Sequence, residues 1–376
     1  MSTTPKVRAL MTKINKAYGD GTIVLGSQIE PDIKRIPSGS LSVDVALGGG
    51  WAANQWHEVI GNESHGKTAL VAKTVAANMA IDPKWTCVWI DGEHSYDAPW
   101  FKALGVDTDR LVLVTTNLME EAYQIAIDCL ESREIDGVVI DSLPSLSPAS
   151  EDEKSIEEVS VGLGALITNR FFRKQNSATK RSLTEVERPV TGWIINQWRE
   201  KIGGYGDNRT TPGGKGKNFA CVTRVECVRD EWIKDGDHEV GIVIKVRCLK
   251  NKTAPPKRIG VFDFYFDESS EGFHAGDIDR YKEVVNLGLM FGVIGRTSED
   301  GTRGNYSYAT EVWRSRADVL AAMREDITLR QAVEHEVLLI AMKGKDRQTG
   351  GPTSPSLEPT PRSGVRRVKR ATAKKK

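Results

Sequence analysis

The chain has 376 residues, 39% of them apolar and 27% charged, a length beyond what one hydrophobic core usually fills, so a large unit with smaller appendages is expected. It holds no apolar run near the ~18 residues that a bilayer span needs and no charged-then-apolar leader, so no membrane partner is expected and a cytoplasmic location is. Net charge is +1, yet nine Lys/Arg face two acids between Asp346 and Lys376, leaving the preceding body net acidic; nucleic-acid contacts in that body must come from local arrangement of charge.

Taken in order, residues 1–33 place Val7, Leu10, Met11, Ile14 and Tyr18 at helical spacing before Gly19, Gly21 and Pro31 break it, the pattern of a small helical arm on a linker. Such an arm cannot bury itself alone. Residues 34–268 alternate short apolar runs with helical stretches, notably Cys87–Asp91, Gly137–Asp141 and Trp193–Asn196, which predicts a mainly parallel sheet flanked by helices. Ala220–Arg229 and Val240–Leu249 read as paired strands extending that sheet. Residues 269–345 return to helical spacing over Ile278–Leu289 and Arg314–Ala341, as in a small α/β lobe. Residues 346–376, rich in Gly and Pro and then basic, cannot bury a core and are predicted to be disordered. The five cysteines, Cys87, Cys129, Cys221, Cys227 and Cys248, are scattered without CxxC or CxxH spacing and read as small core residues.

The strongest local signal is Gly61-Asn62-Glu63-Ser64-His65-Gly66-Lys67-Thr68, a complete GxxxxGK[ST] pattern between the strand-like Trp56–Ile60 and the helix-like Ala69–Ala80. Its glycines let backbone N–H groups curl around phosphate oxygens, Lys67 reaches the terminal phosphates, and Thr68 offers a hydroxyl to Mg²⁺. A nucleoside triphosphate with Mg²⁺ is therefore expected at this loop. Asp141, at the end of an apolar strand run, supplies the carboxylate such a metal site needs; without the upstream loop it would read as a helix cap. Glu93, in Asp91-Gly-Glu-His94 at another strand end, reads either as the base that activates water or as a solvated loop acid.

With these residues in place, the chain resembles the RecA family from Ile36-Pro-Ser-Gly-Ser-Leu-Ser-Val-Asp44 to about Asn286. The motifs occur in family order: Gly-Ser-Leu-Ser, the phosphate loop, Asp-x-Glu-His, apolar-Asp-Ser, Ile195-Asn196-Gln197, Thr210-Thr211-Pro212-Gly213-Gly214 and Lys250-Asn251-Lys252. The resemblance implies a RecA-type P-loop ATPase core and an ATP-dependent recombinase. Such a protein forms helical filaments, as a homo-oligomer, on single-stranded DNA and pairs that strand with homologous double-stranded DNA.

It implies Glu93 as the water-activating glutamate, Asp97 and Trp100 at the adenine, and Phe266 near the neighbouring subunit's nucleotide. Gln197 becomes the γ-phosphate switch, chemically apt as a neutral amide that can re-pair when phosphate leaves. Trp198–Asn218, glycine-rich and bearing Arg199, Lys201, Arg209, Lys215 and Lys217, becomes the second DNA-binding loop, with Arg199, Gly213, Gly214 and Lys215 as contacts. The first DNA-binding loop falls near 151–164 with Val161, Gly162 and Leu163, followed by a helix bearing Arg170 and Arg173. Lys250 and Lys252 reach the neighbour's triphosphate as arginine fingers do, and residues 1–33 become a polymerisation arm docking on the next core, with Phe219 in the same interface.

The chain departs from the family pattern at Leu166, where the family has arginine, at Lys215 in place of asparagine, in a longer 175–189 stretch, and in ending basic where relatives often end acidic. The same core also serves hexameric helicases and DNA motors, and an ATP-gated single-strand-binding mediator without strand exchange is a third reading. The Lys-Asn-Lys and Thr-Thr-x-Gly-Gly elements argue against the motor reading. Intact Lys67, Glu93 and Asp141 argue against the mediator.

Overall fold

The computed structural model describes residues 4–28, 33–152, 162–179, 188–200, 209–297 and 304–343. Its centre is an eight-stranded sheet in the order Ile259–Tyr265, His238–Asn251, Thr223–Asp235, Trp56–Ile60, Thr191–Asn196, Gly137–Asp141, Cys87–Asp91 and Leu111–Thr115. The last six run parallel, and the Thr223–Asp235/His238–Asn251 hairpin and Ile259–Tyr265 add antiparallel strands at one edge. Every residue of Trp56–Ile60, Cys87–Asp91, Gly137–Asp141 and Thr191–Asn196 is buried, as expected where helices cover both faces of a parallel sheet.

Strand alternation divides the core in two. Cys87, Trp89, Val139, Trp193 and Ile195 face the Lys67–Ile81 helix with Leu70, Val71 and Val75. Val88, Ile90, Val138, Ile140 and Ile194 face the opposite layer with Tyr123, Ile127 and Leu130 of Met119–Ser132 and with Phe171 and Phe172 of Leu163–Thr179. There Tyr123 stacks on Phe171 at 4.4 Å between ring centroids, and Trp56 meets Phe171 edge-on at 5.1 Å. Cys87, Cys221, Cys227 and Cys248 lie in these layers as buried free thiols, and Cys129 is half-buried.

The helix Pro5–Tyr18 has no buried residue and leaves Val7, Leu10 and Tyr18 exposed, as its narrow apolar stripe predicts. The Arg314–Ala341 stretch is two helices, Arg316–Glu325 and Ile327–Lys343, not one. Asp326 interrupts the pattern because its carboxylate accepts from the N–H groups of Thr328 and Leu329 and starts a new helix. These helices, Arg280–Met290 and a three-stranded sheet (Gly295–Thr297, Asn305–Tyr308, Glu311–Trp313) surround their own core of Val284, Val285, Leu287, Val319, Met323, Val333 and Val337. Leu41 and Val45 of the Leu41–Leu47 helix join that core and dock the lobe on the main sheet layer.

The same junction buries charge. Glu283 accepts from the Ser40 hydroxyl and the Ser42 N–H, while its other oxygen has no hydrogen-bond partner among the described residues. Burial pushes its carboxyl up from 4.5 to about 7, and burial pushes Asp44 of the Leu41–Leu47 helix from 3.8 to about 7. Because both folded-state values are raised, the native state keeps protons that the unfolded chain has released. The stabilisation these two groups contribute is then full below about pH 4 and is lost as pH rises through about 7. The Tm should fall between pH 5 and pH 8, and Glu283→Gln should flatten part of that fall and raise the pH 8 midpoint; calorimetry across the two pH values checks it, and an unchanged slope in the variant would remove Glu283 as its source.

Candidate active site

The carboxyl ends of the parallel strands carry the site. Trp56–Ile60 delivers Gly61, where a side chain is excluded because a Cβ would lie 2.6 Å from the Cys227 carbonyl oxygen. The loop passes through left-handed backbone at Ser64 and Gly66 and enters the Lys67–Ile81 helix, whose N-terminus faces it. Asn62, Glu63 and Ser64 are exposed, and His65 is half-buried. Lys67 Nζ donates to the Asn62 carbonyl at 2.7 Å, so the ammonium is folded over the loop. Thr68 Oγ1 donates to Asp141 Oδ2 at 3.0 Å, joining the loop to the strand two places across the sheet.

Asp141 is buried, and burial followed by the charge of Glu93 pushes its carboxyl up to about 7 against the opposing pull of Thr68 and Lys67. A cation beside it would relieve that strain, and two hard oxygen donors on adjacent residues are what a small divalent cation takes. Glu93 is exposed at the end of Cys87–Asp91 and accepts from the Ser142 hydroxyl. Its loop is held by Asp91, whose carboxylate accepts from the N–H groups of Glu93, Ser95 and Tyr96 at 2.9–3.2 Å. Lys67, Thr68, Glu93 and Asp141, scattered in sequence, thus converge.

Asp97 begins the short Ala98–Ala103 helix, and Trp100 in it is half-buried, meeting Phe264 edge-on at 6.2 Å. Phe266 is exposed at the same edge of the sheet as the phosphate loop and meets Trp232 at 6.2 Å, with Arg229 4.4 Å over the Trp232 ring.

Gln197 follows Asn196 out of the sheet, its backbone N–H accepted by Asn196 Oδ1 at 2.9 Å. Arg199–Glu200 pairs with Arg209–Thr210, and residues 201–208, Lys201 among them, lie outside the described residues. Beyond this stalk the segment is not the flexible loop expected to Asn218. Gly213 and Gly214 adopt positive φ and open a helix, Gly214–Ala220, that places exposed Lys215 outside and Lys217 wholly inside. Lys217 is bonded to Glu58, so its charge is part of the core and unavailable to DNA. Arg209 is likewise engaged, with Glu226 at 2.9 Å and over the Trp198 ring at 4.6 Å.

In the first-loop region, Val161 lies outside the described residues; Gly162 is exposed, Leu163 starts the Leu163–Thr179 helix, and Arg170, Arg173 and Leu166 are exposed on it. Lys250 and Lys252 emerge at the opposite end of the sheet from Gly61, since Lys250 lies opposite Arg224 and Arg224 opposite Glu58. Within the protomer they cap the Gly214–Ala220 helix: Lys250 donates to the carbonyls of Asn218, Phe219 and Cys221, and Lys252 to that of Phe219. Burial, and then Lys252, lowers the Lys250 ammonium to about 8. Exposed Phe219 sits at that helix end.

Sequence reasoning did not single out Asp91, Ser142, Asn196, Glu58 or Arg224. Asp91, Ser142 and Asn196 stood inside quoted motifs without a role of their own, and Glu58 left a trace as an acid inside the apolar run Trp56–Ile60.

A mixed sheet with a phosphate loop at the switch into its first covering helix defines a P-loop ATP-binding α/β protein. The chain matches the RecA N-terminal domain family model over residues 6–271. It is 33% identical over 330 residues to Protein RecA of Sulfurovum sp. (strain NBC37-1), covering 86% of this chain and 89% of the relative. To Protein RecA of Rhodopirellula baltica it is 36% identical over 296 residues (78% and 75%), and to that of Saccharopolyspora erythraea 34% over 345 residues (90% and 94%). The chain belongs to the RecA family. It is a RecA-type recombinase, a protein of DNA recombination and repair that binds ATP and DNA. No helix among the described residues is long and apolar enough to cross a membrane.

Proposed function

We propose that this recombinase assembles as a helical filament on single-stranded DNA, hydrolyses ATP between protomers, and pairs the bound strand with a homologous duplex to exchange strands. The observation that carries the proposal is the convergence of Lys67, Thr68, Glu93 and Asp141 at one sheet edge, with Gln197 leaving the next strand toward a cationic loop.

In this reading the backbone of Gly61 to Gly66 and the Lys67 ammonium hold the triphosphate, and Trp100 and Asp97 border the adenine. Thr68 and Asp141 hold Mg²⁺, which when bound neutralises phosphate charge. Glu93 accepts the proton of the attacking water, while Ser142 keeps its carboxylate oriented. Gln197 pairs with the γ-phosphate and reports its departure to the loop it precedes. Arg199, Gly213, Gly214 and Lys215 of the second loop, with Gly162, Leu163, Arg170 and Arg173 and the undescribed Val161 of the first, contact the phosphodiester backbone.

Lys250 and Lys252 serve the neighbour's triphosphate; Phe266, which lies at the other end of the sheet from them, does not reach that nucleotide. Such head-to-tail contacts are heterologous and build filaments where the rotation does not close. Residues 1–33 and exposed Phe219 supply further interface.

The test is ATP turnover with and without single-stranded DNA, with negative-stain imaging of the same samples. DNA-stimulated hydrolysis with extended helical filaments supports the reading and leads to a strand-exchange assay. Closed rings or DNA-independent turnover would overturn it in favour of a helicase or motor.

A further inference from the structure

One buried carboxylate ties the phosphate-loop strand to the segments around the second loop. Glu58 lies in Trp56–Ile60, just before Gly61, and is 0% exposed. Its Oε1 accepts from Lys217 Nζ and from Asn196 Nδ2 at 2.7 Å; its Oε2 accepts from Arg224 Nε. Lys217, also 0% exposed, gives its remaining donors to Thr211 Oγ1 and Asn218 Oδ1, both at 3.0 Å. Arg224 reaches Thr211 Oγ1 at 3.4 Å, and Asn196 Nδ2 reaches the Pro212 carbonyl at 3.2 Å. Four chain segments therefore meet on Glu58: the strand entering the phosphate loop, the strand end preceding Gln197, the Thr223–Asp235 hairpin strand, and both sides of the Gly213–Gly214 turn.

Stability alone does not account for this arrangement. Taking a carboxylate and an ammonium out of water costs as much as their attraction returns, and well-packed apolar side chains of similar volume do as well or better. What a fully satisfied buried network provides is fixed geometry, because every member loses its partner if one shifts. Burial would raise the Glu58 carboxyl, but Lys217 and Arg224 outweigh it and hold it below the ordinary carboxylate value.

The geometry points to Glu58, with Lys217, Asn196 and Thr211, as the positioning group that couples nucleotide state at the phosphate loop to the second DNA-binding loop. We propose this coupling role on the basis of the function given above for Gln197 and that loop. Asn196 binds Glu58 through its amide and the Gln197 N–H through its carbonyl oxygen, so a displacement at Gln197 reaches Glu58 through one side chain. From Glu58 it passes to Lys217 and Thr211, which flank the glycine turn closing the loop. DNA that orders the loop acts through the same bonds in reverse. The coupling must then be reciprocal: DNA tightens a nucleotide by the factor by which the nucleotide tightens DNA.

The experiment measures that factor both ways on the full chain, using a non-hydrolysable ATP analogue and a labelled oligothymidylate. Glu58→Gln with Lys217→Met removes the fully buried pair together; Arg224, 15% exposed, keeps its contact with Thr211 and can donate to the glutamine carbonyl. Thr211→Val is the milder second variant, which leaves the ion pairs intact. In the double variant the analogue's Kd without DNA should stay within about threefold of the parent, while a coupling factor in the usual range of about 5 to 150 collapses toward one from both directions. Thr211→Val should lower it several-fold, and Lys217→Arg should restore part of it beside intact Glu58. A double variant, or a folded Thr211→Val, that keeps the parent's factor would overturn the inference. A parent protein with no coupling at all would instead overturn the function on which it rests.

Discussion

Glu93→Gln should lower DNA-dependent ATP turnover by about 10²–10⁴-fold, the range over which a positioned general base contributes. The substitution preserves volume and still accepts the Ser142 hydroxyl, and the Asp91 bonds that shape the loop involve only its backbone N–H. What it removes is the ability to take a proton. Glu93's charge also helps push the Asp141 carboxyl up to about 7, so the neutral variant eases ionisation of Asp141 and should bind nucleotide at least as well as the parent. The loss belongs in kcat, with KM little changed, the signature of an interaction made in the transition state. Steady-state turnover on single-stranded DNA and a separate nucleotide Kd check both halves. A native rate in the variant would remove Glu93 from the chemistry.

Lys67→Ala should affect binding and turnover together. The ammonium is largely buried, and burial lowers its pKa against the pull of Asp141, Glu93 and Glu63, so a cation sits where a triphosphate would bring negative charge. Its hydrogen bond within the chain is to the Asn62 carbonyl, which faces the loop and can turn to water, so the fold should survive the loss. A charge-assisted donor to a transferring phosphoryl group is worth about 10²–10³ in rate, and nucleotide affinity should drop as well. Turnover combined with nucleotide titration measures this, and calorimetry confirms an unchanged fold. A variant binding ATP as tightly as the parent would place the phosphates elsewhere.

The phosphate loop was legible because it is local: eight consecutive residues carry the turn, the cation and the hydroxyl, and the flanking strand and helix share their register with it. Asp141, Glu93 and Gln197 were legible at one remove, because in a parallel sheet every strand end lies on the same edge, so order along the chain becomes proximity. The family assignment rests on the same ordered motifs and is independent of any side-chain contact.

Lys217 was not legible. In a run of glycines and cations it resembles its neighbour Lys215, and helical phase within Gly214–Ala220 turns one outward and the other inward. Its partner, Glu58, is 159 residues away, and no local pattern announces a pairing over that separation. Lys250 and Lys252 show the same limit: the motif marks them, but only the packed chain sets them on the carbonyls of Asn218, Phe219 and Cys221. By itself the sequence determined the phosphate site and the order of its strands' chemical ends, which follow from contiguous residues and strand periodicity, and, through its resemblance to the RecA family, the class of protein. Which cations are buried and which remain free for a phosphate was decided only by the tertiary structure, because burial depends on what distant segments bring to the same place.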